Sequence, residues 1–172
     1  LCDQLQITAE ELQARLAFLS FGEQDGQNLV EIRDVIALHL DEIVGELYGH
    51  LLQFEELRGI LSSPTIVAQL KELQRRYLLS LGQLGDAVGY AEARLQIGLT
   101  HERVGLKQKW YLGAHHKLFD SILQRLAVRY SGDMDTLSSL TLTLNKVLRL
   151  DEIFAAEAYS YAAVRHLEDS LR

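Results

Sequence analysis

The sequence is poor in the residues that stiffen small folds by covalent or conformational means. It has one cysteine, Cys2, among 172 residues. An internal disulfide framework and a thiolate metal site are therefore excluded, and a reducing, cytoplasmic setting is expected. It has one proline, Pro64, so long helices can run uninterrupted on either side of that point. No apolar run approaches the roughly 20 residues of a bilayer span, and the first residues lack a signal-peptide pattern. Basic residues are outnumbered, 17 against 24 acidic, for a formal charge of −7. That balance disfavours nucleic acid and an anionic membrane surface as partners. The densest basic group, Arg103, Lys107 and Lys109, is too small for a nucleic-acid footprint. It suits carboxylates instead, either on neighbouring acids or on a bound ligand. The non-Met start and the charged end, Arg165 to Arg172, fit a piece trimmed from a longer protein.

Apolar residues make up 48% of the chain and recur mostly at spacings of three and four. This predicts an all-α fold, one domain over residues 1–172, with no internal repeat or linker. Thr8-Ala9-Glu10-Glu11 resembles a capping box and opens a short helix to about Leu19. Phe21 to Gly26 reads as a loop. A long helix over 27–54 carries Leu29, Ile32, Ile36, Leu40, Ile43, Leu47 and Leu51, with a bend expected near Leu38. A helical turn over 55–61 follows, and Ser63-Pro64 marks the next helix start, to about Leu81. Gly82 to Gly89 reads as a loop or broken turn. Three further helices are expected: one ending near Gly105, one over 109–130, and a last one over about 134–168.

The richest stretch is Gln96-Ile97-Gly98-Leu99-Thr100-His101-Glu102-Arg103-Val104-Gly105-Leu106, followed by Lys109-Trp110-Tyr111-Leu112-Gly113-Ala114. At helical spacing Tyr90, Ala93, Ile97, His101 and Val104 share one apolar stripe, opposite Glu92, Gln96 and Glu102. A histidine there is either a core residue satisfied by the backbone or a ligand to a metal or haem iron, which needs a dry pocket. Gly98, one turn before His101, costs about 1 kcal/mol relative to alanine inside a helix, so a close approach is expected; a flat ring against the backbone is one candidate. Tyr48 lies on a stripe with Leu40, Val44 and Leu51. It is either a core tyrosine or a donor to a bound polar ligand. The helix after Pro64 aligns Ile66, Leu70, Leu73 and Tyr77, with no histidine; Leu70 and Leu73 are either plain core or an apolar ceiling. Six or seven helices of unequal length with one such histidine suggest globin packing over an even four-helix bundle.

Taken together these segments are similar to the globin-coupled sensors, a bacterial family of haem domains. The resemblance rests on Leu47-Tyr48, on the Leu70 and Leu73 pair, on Ile97 to Leu106, and on Lys109 to Ala114, and it spans about residues 15–165. It departs from the family at Leu47, where phenylalanine is frequent, and at Gln108, where proline is frequent. The resemblance implies a globin fold with an extra N-terminal helix and a haem b held by His101 as the proximal iron ligand. It implies a distal hydrogen bond from Tyr48 to O2, and a pocket that also draws on Leu47, Leu70, Leu73, Ile97, Gly98, Val104, Trp110 and Tyr111. It further implies CO and NO as alternative ligands, and a homodimer formed by the last two long helices. Apolar residues Leu140, Leu144, Val147, Leu148, Phe154 and Tyr161 on the final helix are compatible with that dimer. Tyr111 would lie near His101 and relay ligand state. His39, His50, His115, His116 and His166 match no ligand position and are read as surface or interface residues.

The expected function is an oxygen or gas sensor that is not itself an enzyme and that precedes a C-terminal output domain, a diguanylate cyclase in the favoured version. A chemotaxis-transducer or histidine-kinase output is the first alternative. A stand-alone redox globin, acting as a nitric oxide dioxygenase or peroxidase, is the second. A cofactor-free helical dimerisation module is the third.

Overall fold

A computed structural model describes residues 1–172. They form eight α-helices and no strand: α1 (Ala9–Phe18), α2 (Glu23–Leu38), α3 (Leu40–Leu51), α4 (Glu55–Ile60), α5 (Pro64–Leu79), α6 (Ala87–Arg103), α7 (Gln108–Arg129) and α8 (Met134–Ser170), with a single 3-10 turn at Leu84–Asp86. None is long and apolar enough to cross a membrane. The helix count exceeds the six or seven expected, because the 27–54 segment splits at His39, close to the bend expected at Leu38.

Helix starts follow local side-chain chemistry. Thr8, Ser63, Asp86 and Asp133 each accept a hydrogen bond from the backbone N–H three residues on, and Pro64 occupies the first turn of α5, where its missing N–H costs nothing. The expected loop at 21–26 is shorter than its glycines suggested. α2 already begins at Glu23, because the Asp25 carboxylate in its first turn reaches back and accepts from the Gly22 N–H at 2.8 Å.

Two apolar clusters form the core. The larger joins α2, α3, α5, α7 and α8 around Ile32, Ile36, Ile43, Leu78, Ile122 and Leu144. The smaller joins the N-terminal segment, α1, α6 and α8 around Leu12, Leu95 and Phe154. Between them lies a fully buried polar node. Asp151 accepts hydrogen bonds from the Tyr77 and Tyr90 hydroxyls, both at 2.7 Å, and from Arg94 Nε at 3.2 Å. The Arg94 guanidinium is flanked by the Tyr77 and Tyr90 rings at 4.5 and 4.1 Å. One carboxylate thus ties α5 and α6 to α8, and its donors keep the buried charge satisfied.

α6 packs chiefly on α8, and also on α1, but shares no comparable face with α3 or α5. The contact with α8 is close. A Cβ on Gly98 would stand 2.7 Å from Ala158 Cβ and 3.0 Å from Ala155 Cα. The glycine therefore serves helix–helix approach, not the approach of a flat ring. Gly98→Ala should destabilise the chain by about 1–3 kcal/mol, since backbone must move to admit it. Gly113→Ala on α7, whose added methyl meets nothing within 4 Å, should be neutral or stabilising by up to about 1 kcal/mol. Paired thermal melts check both.

Candidate functional site

α6 presents two different faces. Ala91, Arg94, Leu95 and Gly98 are buried inward, against α8 and the core. The stripe expected to be a single buried face divides: Tyr90 is buried and bonded to Asp151, Ile97 and His101 are half-buried, and Ala93 and Val104 are exposed. His101 thus lies half-buried at the edge of the core, against α7 through the Tyr111 ring.

The His101 imidazole has an orphaned polar atom. Its Nδ1 is buried without a well-formed hydrogen bond; burial holds its pKa below the ordinary histidine value, opposed by the Ile97 backbone one turn back. The ring is therefore neutral at physiological pH, the form that ligates a metal. Its nearest aromatic neighbour is Tyr111 on α7, at 5.0 Å between ring centres.

The backbone around His101 is pinned. α6 ends in a left-handed C-cap: Gly105 has φ +81°, its N–H reaches the Glu102 carbonyl, and the Leu106 N–H reaches the His101 carbonyl, both at 2.9 Å. This two-bond closure needs the positive φ that glycine supplies freely, and it accounts for Gly105 and Leu106 within the motif.

The proposed opposite wall comes from α3 and α5. Leu47 and Tyr48 belong to the larger core cluster, and Leu70 and Ile97 both pack against it. The Tyr48 hydroxyl is pushed up to about 12 by burial, with no hydrogen bond contributing. It is a protonated donor with no partner assigned. Further along the α5 stripe, Ile66 and Leu73 are exposed, Leu73 by 57%. Leu73 on α5 and Val104 just past α6 stay exposed, and the Tyr48 hydroxyl makes no hydrogen bond. No group of three or more His, Cys, Asp or Glu side chains is arranged to hold a bare metal ion, whereas one imidazole facing apolar walls suits iron whose other ligands come from a porphyrin. Surface hollows of about 370 and 350 Å³ lie elsewhere, between α2, α3 and α7 and between the C-terminal ends of α6 and α8; neither includes Tyr48, Leu70 or His101.

Trp110 turns the other way. Its indole N–H donates to Glu56 at 2.9 Å and its ring packs on Phe54 at 5.2 Å, so it anchors the start of α7 to α4. Lys107 and Lys109 also face Glu56, at 2.8 and 3.9 Å; of the two pairings open to this basic group, these lysines use a neighbouring acid.

The structure corrects the reading of His115. It is not a surface residue but is 4% exposed. It lies 4.7 Å from the Tyr111 ring and 6.1 Å from the Tyr77 ring, with Nδ1 unpartnered and 3.7 Å from a Glu152 carboxylate oxygen. Its spacing with Tyr111, Leu118 and Ile122 on α7 was the available signal. Rings of His101, Tyr111, His115 and Tyr77 thus run in sequence from the site to Asp151. His116 is exposed and pairs with Asp120, and His166 is exposed beside Glu102. His39 and His50 are half-buried. The apolar residues of α8 offered for a dimer are also corrected. Leu140, Leu144, Val147, Leu148 and Phe154 are buried in the chain's own core, and only Tyr161 of that set is not.

Comparison with known proteins fits this arrangement. The protoglobin family profile matches residues 8–165. The chain belongs to the protoglobin family. It is also 28% identical over 180 residues to the haem-based aerotactic transducer HemAT of Halobacterium salinarum, a match covering 99% of this chain and 37% of that relative. The chain therefore spans little more than a third of the transducer's length. As a member of this family its helices form a globin fold, with α1 as the additional N-terminal helix.

Burial holds the His115 imidazole down at about 3 against an ordinary value of 6.5, helped by the positive charges of Arg149 and Arg94. The unfolded chain binds that proton more readily, so this contribution to stability is complete above pH 6.5 and is lost as pH falls toward 3. Thermal melts from pH 7 to 4 should show a steeper loss for the wild type than for His115→Phe.

Proposed function

We propose that this chain is a haem-based gas-sensing domain, with His101 as the proximal ligand to the iron. The observation that carries the reading is a half-buried imidazole on an apolar stretch of α6, held neutral by burial and bonded to no other side chain. Haem b fits the residues present: one nitrogen ligand and apolar surface from Ile97, Val104, Leu70, Leu73 and Leu47. The bound haem would supply an iron coordination position at which O2, CO or NO is captured. The protein's residues do the rest. His101 holds the iron from one side, with its backbone fixed by the Gly105 cap. Tyr48 keeps its proton and donates a hydrogen bond toward a polar gas, which favours O2 over the less polar CO. Leu70 and Leu73 limit water at the gas position.

The domain itself carries out no reaction. In the full protein it passes ligand state to an output domain, and the likeness to an aerotactic transducer favours a transducer-type output over the diguanylate cyclase expected from sequence. A second copy of the chain would pair along α7 and α8. After the core has taken most of the apolar residues of α8, Leu142, Ile153 and Val164 remain exposed. Their eleven-residue spacing keeps them on one helix face. Leu112 on α7 is exposed as well.

The ferrous, haem-loaded chain mixed with oxygen tests the reading. It should show a haem absorption band that shifts on oxygen addition. Tyr48→Phe should release O2 about tenfold faster, as loss of one hydrogen bond of about 1.4 kcal/mol implies, while CO release changes much less. A chain that takes up no haem, or an O2 release rate indifferent to Tyr48→Phe, would contradict it.

A further inference from the structure

We infer that Tyr159 on α8 is a positioning residue for His101, acting through the backbone of Leu106. The Leu106 N–H is donated to the His101 carbonyl at 2.9 Å, and the Leu106 carbonyl accepts the Tyr159 hydroxyl at 2.6 Å. The backbone of one residue, through the peptide groups on either side of its Cα, thus links residues 58 positions apart in the sequence. Leu106 has little freedom to yield, because the left-handed Gly105 fixes the direction in which the chain leaves α6. The Tyr159 ring lies 6.4 Å from Tyr111, the ring that packs on His101, so α8 reaches the imidazole from the backbone side and from the aromatic side. Tyr159 is half-buried, and burial, with Glu102 nearby, lifts its hydroxyl to about 12, so it stays a donor at physiological pH. At its cofactor end this assignment rests on the proposal that His101 binds haem iron.

The orientation of a ligating imidazole depends on the groups that hold its backbone and ring, and changes there alter the metal–ligand bond without touching the metal. Tyr159 is placed to act in that way from the helix that also carries the surface proposed for pairing. A tilt of His101 on gas binding would pull on Leu106 and hence on α8, and a shift of α8 would move His101 in return; such coupling is reciprocal.

Two readouts on Tyr159→Phe separate this assignment from the haem reading. In the haem-free chain, hydrogen exchange at the Leu106 amide should accelerate roughly fivefold, the scale of one ordinary hydrogen bond. Tyr161→Phe, two residues on and bonded only to Gln4, should leave it unchanged. In the haem-loaded chain, the iron–histidine stretching band should shift or broaden in Tyr159→Phe and hold its place in Tyr161→Phe. Leu106 exchange that does not respond overturns the link. Faster exchange with an unmoved iron–histidine band overturns the positioning role. A wild type that takes up no haem overturns the functional reading and the positioning role with it, while the exchange result still decides the link.

Discussion

Gly98 sets how close α6 comes to α8, and the site depends on that distance. With no side chain at this position, α6 sits against Ala155 and Ala158 and draws its support from α8 and α1 rather than from α3 or α5. The face bearing Ile97 and His101 meets the larger core through Ile97 and α7 through the Tyr111 ring, while Val104 stays exposed. The Tyr48 hydroxyl, on the α3 side of that core, has no hydrogen-bond partner.

The buried polar node reinforces the same geometry. Asp151 holds Tyr77 of α5 and Tyr90 and Arg94 of α6 against α8, and Arg94 also joins α6 directly to α5, over the Tyr77 ring and to the Ser80 hydroxyl at the helix end. Burial pushes the Asp151 pKa up, and Arg94 and the two tyrosine hydroxyls oppose that. The arrangement is specific in a way that leucines would not be, because each donor has one place to reach. It also sets Tyr77 beside His115 and so backs the aromatic row that ends at His101.

Much of the helix plan was legible in the sequence because capping chemistry is local. Ser63-Pro64, Thr8 and the break near Leu38 each depend on a few adjacent residues. The helix end at the candidate site was legible through its motif, since the His101, Gly105 and Leu106 spacing encodes the C-cap that closes α6. What was not legible depended on partners distant in sequence. Gly98 has a packing cause visible only once Ala155 and Ala158 are beside it. His115 matches no ligand position and so reads as a surface or interface residue, yet its spacing with Tyr111 and Leu118 places it inward. Asp151 sits between Val147, Leu148 and Phe154 on an apolar stripe. That pattern marks a buried charge, but only the fold supplies Arg94 and the two tyrosines that satisfy it. Tyr159 carries no local signal, because its acceptor is a backbone carbonyl on another element.

The central claim is that the His101 side chain is the bond between this protein and an iron. Replacing it with glycine and supplying free imidazole tests that bond most directly. His101→Gly should lose the haem absorption band and the iron–histidine stretching mode, and added imidazole should restore both. A variant that retains the wild-type band and stretching mode without imidazole would show that another residue holds the iron, and would contradict the account.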